Sequence, residues 1–214
     1  MSIATTLHSV ADAAEVVSAE MSTDHRVVVG IAGAPGSGKS TLAGQLADLL
    51  GASAAVLPMD GFHLPQARLV ELGRRERMGA PDTFDVDGFR ATLIAIRRGF
   101  GTDGSVVSAP GFDRSAEEPV LGEIRITPAV SCVIIEGNYL LLDSGGWERT
   151  AALLDLSFYL DVEHDLRVDR LIARHQQFGK TAAAARAWAL GPDEANARLI
   201  EGTAVRADYR ISLP

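Results

Sequence analysis

The chain has 214 residues, 47% of them hydrophobic and 22% charged, which is the composition of a soluble globular domain rather than a disordered or fibrous chain. A formal net charge of −8 argues against a general nucleic-acid binder, because a phosphate backbone is held mainly by Lys and Arg. The single cysteine, Cys132, lies in an apolar run, which excludes an internal disulfide and reads as a buried structural thiol in a reducing compartment.

No stretch approaches 18 apolar residues, and Asp12 and Glu15 interrupt a segment with no basic leader, so neither a membrane span nor a signal peptide is expected. A single cytoplasmic domain over residues 1–214 is the economical reading. In the N-terminal segment, residues 1–25, Leu7, Val10, Ala11, Ala14 and Val17 recur at helical spacing and predict an amphipathic helix.

The apolar run from Val27 to Ala32 then feeds Gly33-Ala34-Pro35-Gly36-Ser37-Gly38-Lys39-Ser40-Thr41, with a helix-like segment over 42–50 closed by Gly51. This fits G-x-x-x-x-G-K-[ST] in its required context of strand, glycine-rich turn and helix. The glycines let consecutive N–H groups point inward as a nest for phosphate oxygens, and the helix adds a positive dipole end. Lys39 is expected to reach the β- and γ-phosphates, and the Ser40 hydroxyl to take a Mg²⁺ position. A merely flexible turn is the poorer account, since every fixed position is present. A nucleoside triphosphate is the expected ligand.

Residues 54–59 read as a second strand, ending in Asp60-Gly61-Phe62-His63. Ligands of open parallel sheets sit outside the carboxyl ends of strands, so Asp60 is expected beside the P-loop strand, facing the γ-phosphate. The competing reading is a plain Asp-Gly turn. From 66 to 89 the chain is polar, with Arg74, Arg75 and Arg77 crowded together, while Phe84 and Phe89 favour order. A helix is expected over 91–98. Residues 106–110 and 123–126 can pair as a small hairpin around a loop, 111–122, whose Phe112, Asp113 and Arg114 suit a polar small molecule or simply a solvated loop.

Residues 130–135 read as a buried strand ended by Glu136-Gly137-Asn138, the usual place for an acid that orders Mg²⁺. Another strand, 153–160, ends at Asp161. In the helical pattern 163–177, Arg167, Arg170 and Arg174 fall at i, i+3 and i+7, on one face. That face is either a lid over the triphosphate or a solvated face paired with Glu163, Asp165 and Asp169; spacing alone favours the second. The Ala-rich helix 181–190 carries Trp188, read as core. A last helix, 193–206, leads to a final strand, 207–213. Strands alternating with helices imply a three-layer α/β/α sandwich around a parallel sheet.

The P-loop, Pro58-Met59-Asp60-Gly61-Phe62-His63, Gly79-Ala80-Pro81-Asp82-Thr83-Phe84-Asp85, Pro110-Gly111-Phe112-Asp113-Arg114 and Ile135-Glu136-Gly137-Asn138-Tyr139 together resemble the phosphoribulokinase / uridine kinase / bacterial pantothenate kinase family of P-loop kinases, from about residue 26 onward. Within it the chain looks most like the bacterial sub-group labelled fructose-transport-system kinase or nucleoside/nucleotide kinase-like. The second and third blocks are the specific part, since many families share a P-loop. The resemblance implies a mainly parallel five-stranded sheet with a substrate-side insertion containing a small hairpin, residues 61–127, and a helical lid with its following helix, residues 162–190.

It also implies ATP and Mg²⁺ as cofactors and transfer of the γ-phosphoryl group to a hydroxyl of a small-molecule acceptor, with no nucleic-acid or membrane partner and a homodimer left open. Asp60 corresponds to the general base, Glu136 to the second acid, and Arg170 and Arg174 to lid arginines. Substrate contacts fall on His63, Phe84, Asp85, Phe112 and Arg114. Phe112 stands where nucleoside kinases often carry a tyrosine hydroxyl, which favours a sugar or polyol over uridine or cytidine; pantothenate is a further alternative. A regulatory or metal-insertion GTPase is the competing class, but Asn-Lys-x-Asp is absent, and Asp-x-x-Gly at 85–88 and 143–146 is common by chance. A non-catalytic ATP-binding module would keep Lys39 and have no need of Asp60.

Overall fold

The computed structural model describes residues 5–101 and 104–213. Residues 1–4, 102, 103 and 214, which fall within the expected N-terminal segment, insertion and C-terminal end, lie outside the described residues. In chain order the elements are β1 (Thr5–Leu7), α1 (Val10–Glu20), β2 (Val27–Ala32), α2 (Lys39–Leu50), β3 (Ala54–Pro58), α3 (Gln66–Glu71), α4 (Val86–Arg98), β4 (Val107–Asp113), β5 (Glu118–Ile126), β6 (Cys132–Gly137), α5 (Glu148–Ala151), β7 (Leu156–Asp161), α6 (His164–Gln177), α7 (Ala182–Leu190), α8 (Pro192–Glu201) and β8 (Tyr209–Ser212). Short 3₁₀ turns join several of them, including Met59–Phe62 after β3.

Six strands form a wholly parallel sheet in the order β1-β8-β7-β2-β6-β3. The central strands are apolar along their whole length because both faces are covered. Along β2, Val27, Val29 and Ile31 face α1 and α2, while Val28 and Ala32 face the aromatic core under α4 and α8. In β6 the same alternation sends Cys132 and Ile134 one way and Val133 and Ile135 the other. Burial pushes the Cys132 thiol up to about 12, so it is an inert packing group.

Three expectations are corrected. The sheet has six strands rather than five, because Thr5–Leu7 adds to the edge beside β8 before Ser9 caps α1. Asp60 does not follow the strand next to the P-loop strand: β6 lies between β2 and β3, so the strand bearing Glu136 separates the other two. The hairpin is also longer than expected. Most of the predicted loop 111–122 is paired strand, leaving the turn from Arg114 to Glu117 at its tip.

Arg26, just before β2, is 1% exposed and has no carboxylate partner among the described residues. Its guanidinium donates to the carbonyls of Val130 (2.7 Å), Ile96 (2.6 Å), Thr127 (2.7 Å) and Gly99 (3.3 Å). Those carbonyls come from the C-terminal end of α4 and from the return of the hairpin toward β6. This one side chain therefore ties both stalks of the hairpin to the base of the sheet.

Candidate active site

The first half of the site follows β2. Gly36 (φ +80°) and Gly38 (φ +100°) take left-handed backbone, and a Cβ on Gly36 would lie 2.7 Å from the Arg167 carbonyl oxygen. The glycine thus shapes the loop and admits α6 against it. Lys39 opens α2, is buried, and donates from Nζ to the Ala34 carbonyl at 3.1 Å. Burial lowers its pKa to about 8, although Glu136 and Asp60 pull the other way.

The neighbouring Ser40 Oγ donates to Glu136 Oε1 at 2.7 Å. Burial first and the Asp60 charge second raise the Glu136 pKa. Among the described residues no group of three His, Cys, Asp or Glu could hold a metal. One hydroxyl beside one carboxylate is the partial donor set a magnesium ion uses when substrate phosphates and water complete its shell.

The second half is built on the turn after β3. Gly61 has no room for a side chain: a Cβ there would meet the Pro110 carbonyl oxygen at 2.1 Å. The Asp-Gly pair is therefore the seat on which β4 docks, more than a plain turn. Asp60 Oδ2 accepts from Arg114 at 2.7 Å across that seat. Burial works to raise the Asp60 pKa, but the electropositive surroundings of His63, Arg114, Arg174 and Lys39 outweigh it and hold the carboxyl below its ordinary value. Burial lowers the His63 pKa, against the pull of Asp60.

Asp60, Lys39, Ser40, Glu136 and Arg174 line one cleft of about 160 Å³ with His63, Phe84, Phe112 and Arg114. His63 is held by the Asp60 carbonyl at 2.8 Å from Nδ1 and stacks on Phe84 and Phe112, with ring centroids 4.0 Å and 4.8 Å away. Beneath them Phe84, Phe89, Tyr139 and Trp147 pack as an aromatic cluster. Tyr139 and Trp147 donate to the Gly79 and Pro81 carbonyls, which fixes the polar 79–85 stretch along the cleft wall.

Several expected positions come out differently. Asp85 does not line the cleft: it is exposed and caps α4, its Oδ1 accepting from the Gly88 amide at 2.9 Å, so α4 starts five residues before the expected helix. The three arginines of α6 do not act as one face. Arg167 is 1% exposed and pairs with Glu194; Arg170 donates to the Ser37 carbonyl at 3.2 Å; Arg174 reaches the cleft. A solvated face paired with Glu163, Asp165 and Asp169 is excluded for Arg167. Arg170 instead borders a second cavity of about 550 Å³, with Ser37, Gly38, Thr41, Gln45, Asp161 and Ser212. The remaining P-loop residues hold the turn itself: Ser37 N–H donates to Ala34, and Gly33 lies against the Leu160 carbonyl.

Other cleft residues went unrecognised. Asn138 closes the Glu136-Gly137-Asn138 strand end and Arg75 belongs to the arginine cluster, so both had a signal. Glu117, His175, Lys180, Asp193 and Asn196 had none, because only tertiary packing brings them there. Trp188, read as core, borders the cleft with Lys180 5.0 Å above its ring.

Residues 28–208 match the sequence model of the Phosphoribulokinase / Uridine kinase family. The chain belongs to this family. A Schizosaccharomyces pombe protein provisionally named a uridine kinase is 37% identical over 166 residues, 73% of this chain and 69% of that protein. Escherichia coli YggC is 34% identical over 178 residues, 80% of this chain and 71% of YggC. A crystal structure from Silicibacter sp. TM1040, provisionally described as a fructose transport system kinase, superposes with a TM-score of 0.86 at 38% identity, covering 97% of this chain and all (100%) of that one. The protein is thus an ATP-dependent P-loop kinase of the phosphoribulokinase / uridine kinase family with the α/β fold of its relatives. Both Asp-x-x-Gly sequences lie in other structural roles: Asp85 caps α4, and Asp143 pairs with Arg206. Among the described residues no helix is long and apolar enough to cross a membrane.

Proposed function

We propose that the chain transfers the γ-phosphoryl group of ATP to a hydroxyl of a sugar or sugar-like metabolite, with Mg²⁺. The observation that carries this is the convergence of Asp60 with Lys39, Ser40 and Glu136 across one cleft, at the carboxyl ends of three neighbouring strands. The P-loop amides and Lys39 hold the triphosphate, and Ser40 and Glu136 would hold the magnesium ion. When bound, that ion neutralises charge on the β- and γ-phosphate oxygens. Asp60 stays ionised and takes the proton of the acceptor hydroxyl. The acceptor oxygen forms its bond to Pγ as the bond from Pγ to the β–γ bridging oxygen breaks, and ADP leaves with that oxygen. Arg174, reaching in from α6, offers positive charge to the transferring group. The cavity beside Arg170 and Thr41 is assigned to the nucleoside of ATP.

Phe84, His63 and Phe112 give the acceptor flat faces, and Phe112 brings no hydroxyl. The missing hydroxyl at Phe112 is what supports a sugar over a pyrimidine nucleoside, because the flat faces suit both. A panel of sugars, nucleosides and pantothenate, followed by ADP release and product mass, tests the acceptor. A sugar should be turned over fastest, and uridine, cytidine or pantothenate exceeding every sugar overturns the assignment.

The depressed Lys39 pKa gives a second test. Only the protonated ammonium attracts phosphate, so ATP affinity should be flat below about pH 7 and fall by up to tenfold per unit above about 8, where the free lysine loses its proton. Calorimetric titration of a non-hydrolysable analogue across that range reads it, and constant affinity to about pH 9.5 overturns the lowered Lys39 pKa.

A further inference from the structure

A transferring phosphoryl group is best met by a cation already fixed in place, and Arg174 is the one assigned to it. Arg174 lies in the last turn of α6 and lines the cleft, yet among the described residues its guanidinium has no hydrogen-bond or ion-pair partner. Burial first and the Arg114 charge second lower its pKa, against the pull of Asp60, Asp193 and Glu136. An arginine carries several free torsions, so without a partner its head is placed only as well as the backbone that bears it is fixed.

The next residue fixes that backbone. His175 Nε2 donates to Asp193 Oδ2 at 2.7 Å, and its ring stands edge-on to Trp188 of α7, with centroids 6.4 Å apart. Asp193 is 8% exposed and belongs to the first turn of α8, where the positive end of the helix favours a carboxylate. The end of α6 and the start of α8 are thus joined by a charge-assisted bond in the cleft wall. Leucines would join two helices without burying a charge, so packing alone gives no reason for the pair.

The same turns of α8 reach both halves of the site. Glu194 pairs with Arg167, whose Nη1 lies 3.5 Å from the Pro35 carbonyl of the P-loop. Asn196 Nδ2 donates at 3.3 Å to the Gly79 carbonyl, which also accepts from Tyr139. Helix α8 therefore spans from the phosphate loop to the acceptor wall, and through Asp193 it holds the residue beside Arg174.

We propose that Asp193 and His175 are positioning residues for the transfer step: their bond sets the last turn of α6 against α8, so that the Arg174 guanidinium stands ready at the transferring phosphoryl group. This rests on the kinase reading and adds two residues to it. The pair gives the reaction neither proton nor charge. Its contribution is the orientation of a group that does act, and small misplacements of such a group are costly.

The test uses the full chain and whichever sugar, nucleoside or pantothenate of the acceptor panel the parent turns over fastest. Asp193→Ala and His175→Ala are each expected to lower kcat about tenfold, while acceptor KM and affinity for a non-hydrolysable ATP analogue stay within about twofold. His175→Gln, whose Nε2 can still donate to Asp193, should lose no more than about threefold. The deciding comparison is made in an Arg174→Ala background, where adding Asp193→Ala should cost less than about twofold further, because the group it positions is gone. Equal losses from Asp193→Ala in both backgrounds, unchanged kcat beside an intact Arg174, or a raised acceptor KM at unchanged kcat overturns the proposal; the last result makes Asp193 an acceptor contact. Analogue affinity reports the folding of each variant. If Asp193→Ala binds no analogue, the cycle is read from His175→Ala; if neither alanine variant binds it, the pair is a folding element and the proposal falls. The kinase reading fails separately, if no compound of the panel elicits ADP release from the parent.

Discussion

Asp60→Asn is expected to lower kcat by roughly 10²–10⁴, the range of general acid–base help, while ATP affinity stays within a few-fold. The substitution keeps the side-chain volume and the turn after β3, and it removes only the proton acceptor and its charge. Phosphoryl transfer through a loose transition state asks little basicity of the protein, which fits a carboxyl held below its ordinary pKa by the cations around it. The acceptor proton must still leave, and within the cleft the other carboxylate beside the P-loop is committed to Ser40. Initial rates with the identified acceptor, paired with titration of a non-hydrolysable analogue, read both halves. Full turnover in the variant would return Asp60 to a turn acid that seats the hairpin and would move the search for a base to Glu136.

Lys39→Met should produce an opposed pair of effects. The methionine keeps much of the buried stem and discards the ammonium, so the charge aimed at the β- and γ-phosphates is lost and kcat should fall by roughly 10²–10³. Stability should move the other way. Burial has already lowered the Lys39 pKa to about 8, which means the folded chain disfavours the charged form that the unfolded chain carries near neutrality. Below that pH the lysine therefore costs the unliganded fold stability, a cost that fades as pH rises from about 8 toward the ordinary lysine value. The variant should melt no lower than the parent at neutral pH, and its thermal gain on adding nucleotide should shrink. A large drop in its unliganded melting temperature would show that Lys39 is mainly a packing group.

The features legible beforehand are those with a local cause. The unbroken apolar runs of β2 and β6 announced strands buried on both faces, and the P-loop declared itself through glycines that only a phosphate nest requires. Features that depend on what packs against what were not legible. Three residues of β1 are too few to show an alternation, and nothing in β3 states that β6 will slot between it and β2. Regular spacing put three arginines on one side of α6, yet each met different surroundings because α6 lies across the P-loop: Glu194 below, the Ser37 carbonyl beside, the cleft ahead. Asp85 was drawn into the acceptor set by its motif neighbours, although an acid three residues before Gly88 is equally an N-cap. Trp188 looked like core because large aromatics usually are, and the cation lying over its ring is contributed by a loop eight residues earlier.

Arg26 has a consequence of another kind. It sits at the amino end of β2, a six-residue strand that separates it from the P-loop by about 20 Å. By holding Ile96 and Gly99 on one side and Thr127 and Val130 on the other, it fastens the insertion at its two roots and nowhere near its tip. The roots of the hairpin are therefore fixed far from the chemistry, and only its middle seats on the Asp60-Gly61 turn. Its far end can vary in length and charge without unsettling the nucleotide half, as long as the roots still offer carbonyls to the guanidinium. Such a division between a constant engine and an exchangeable reader is a physical basis for evolvability: new acceptors can be tried by rewriting the tip, while the phosphate-handling half keeps the geometry it already has.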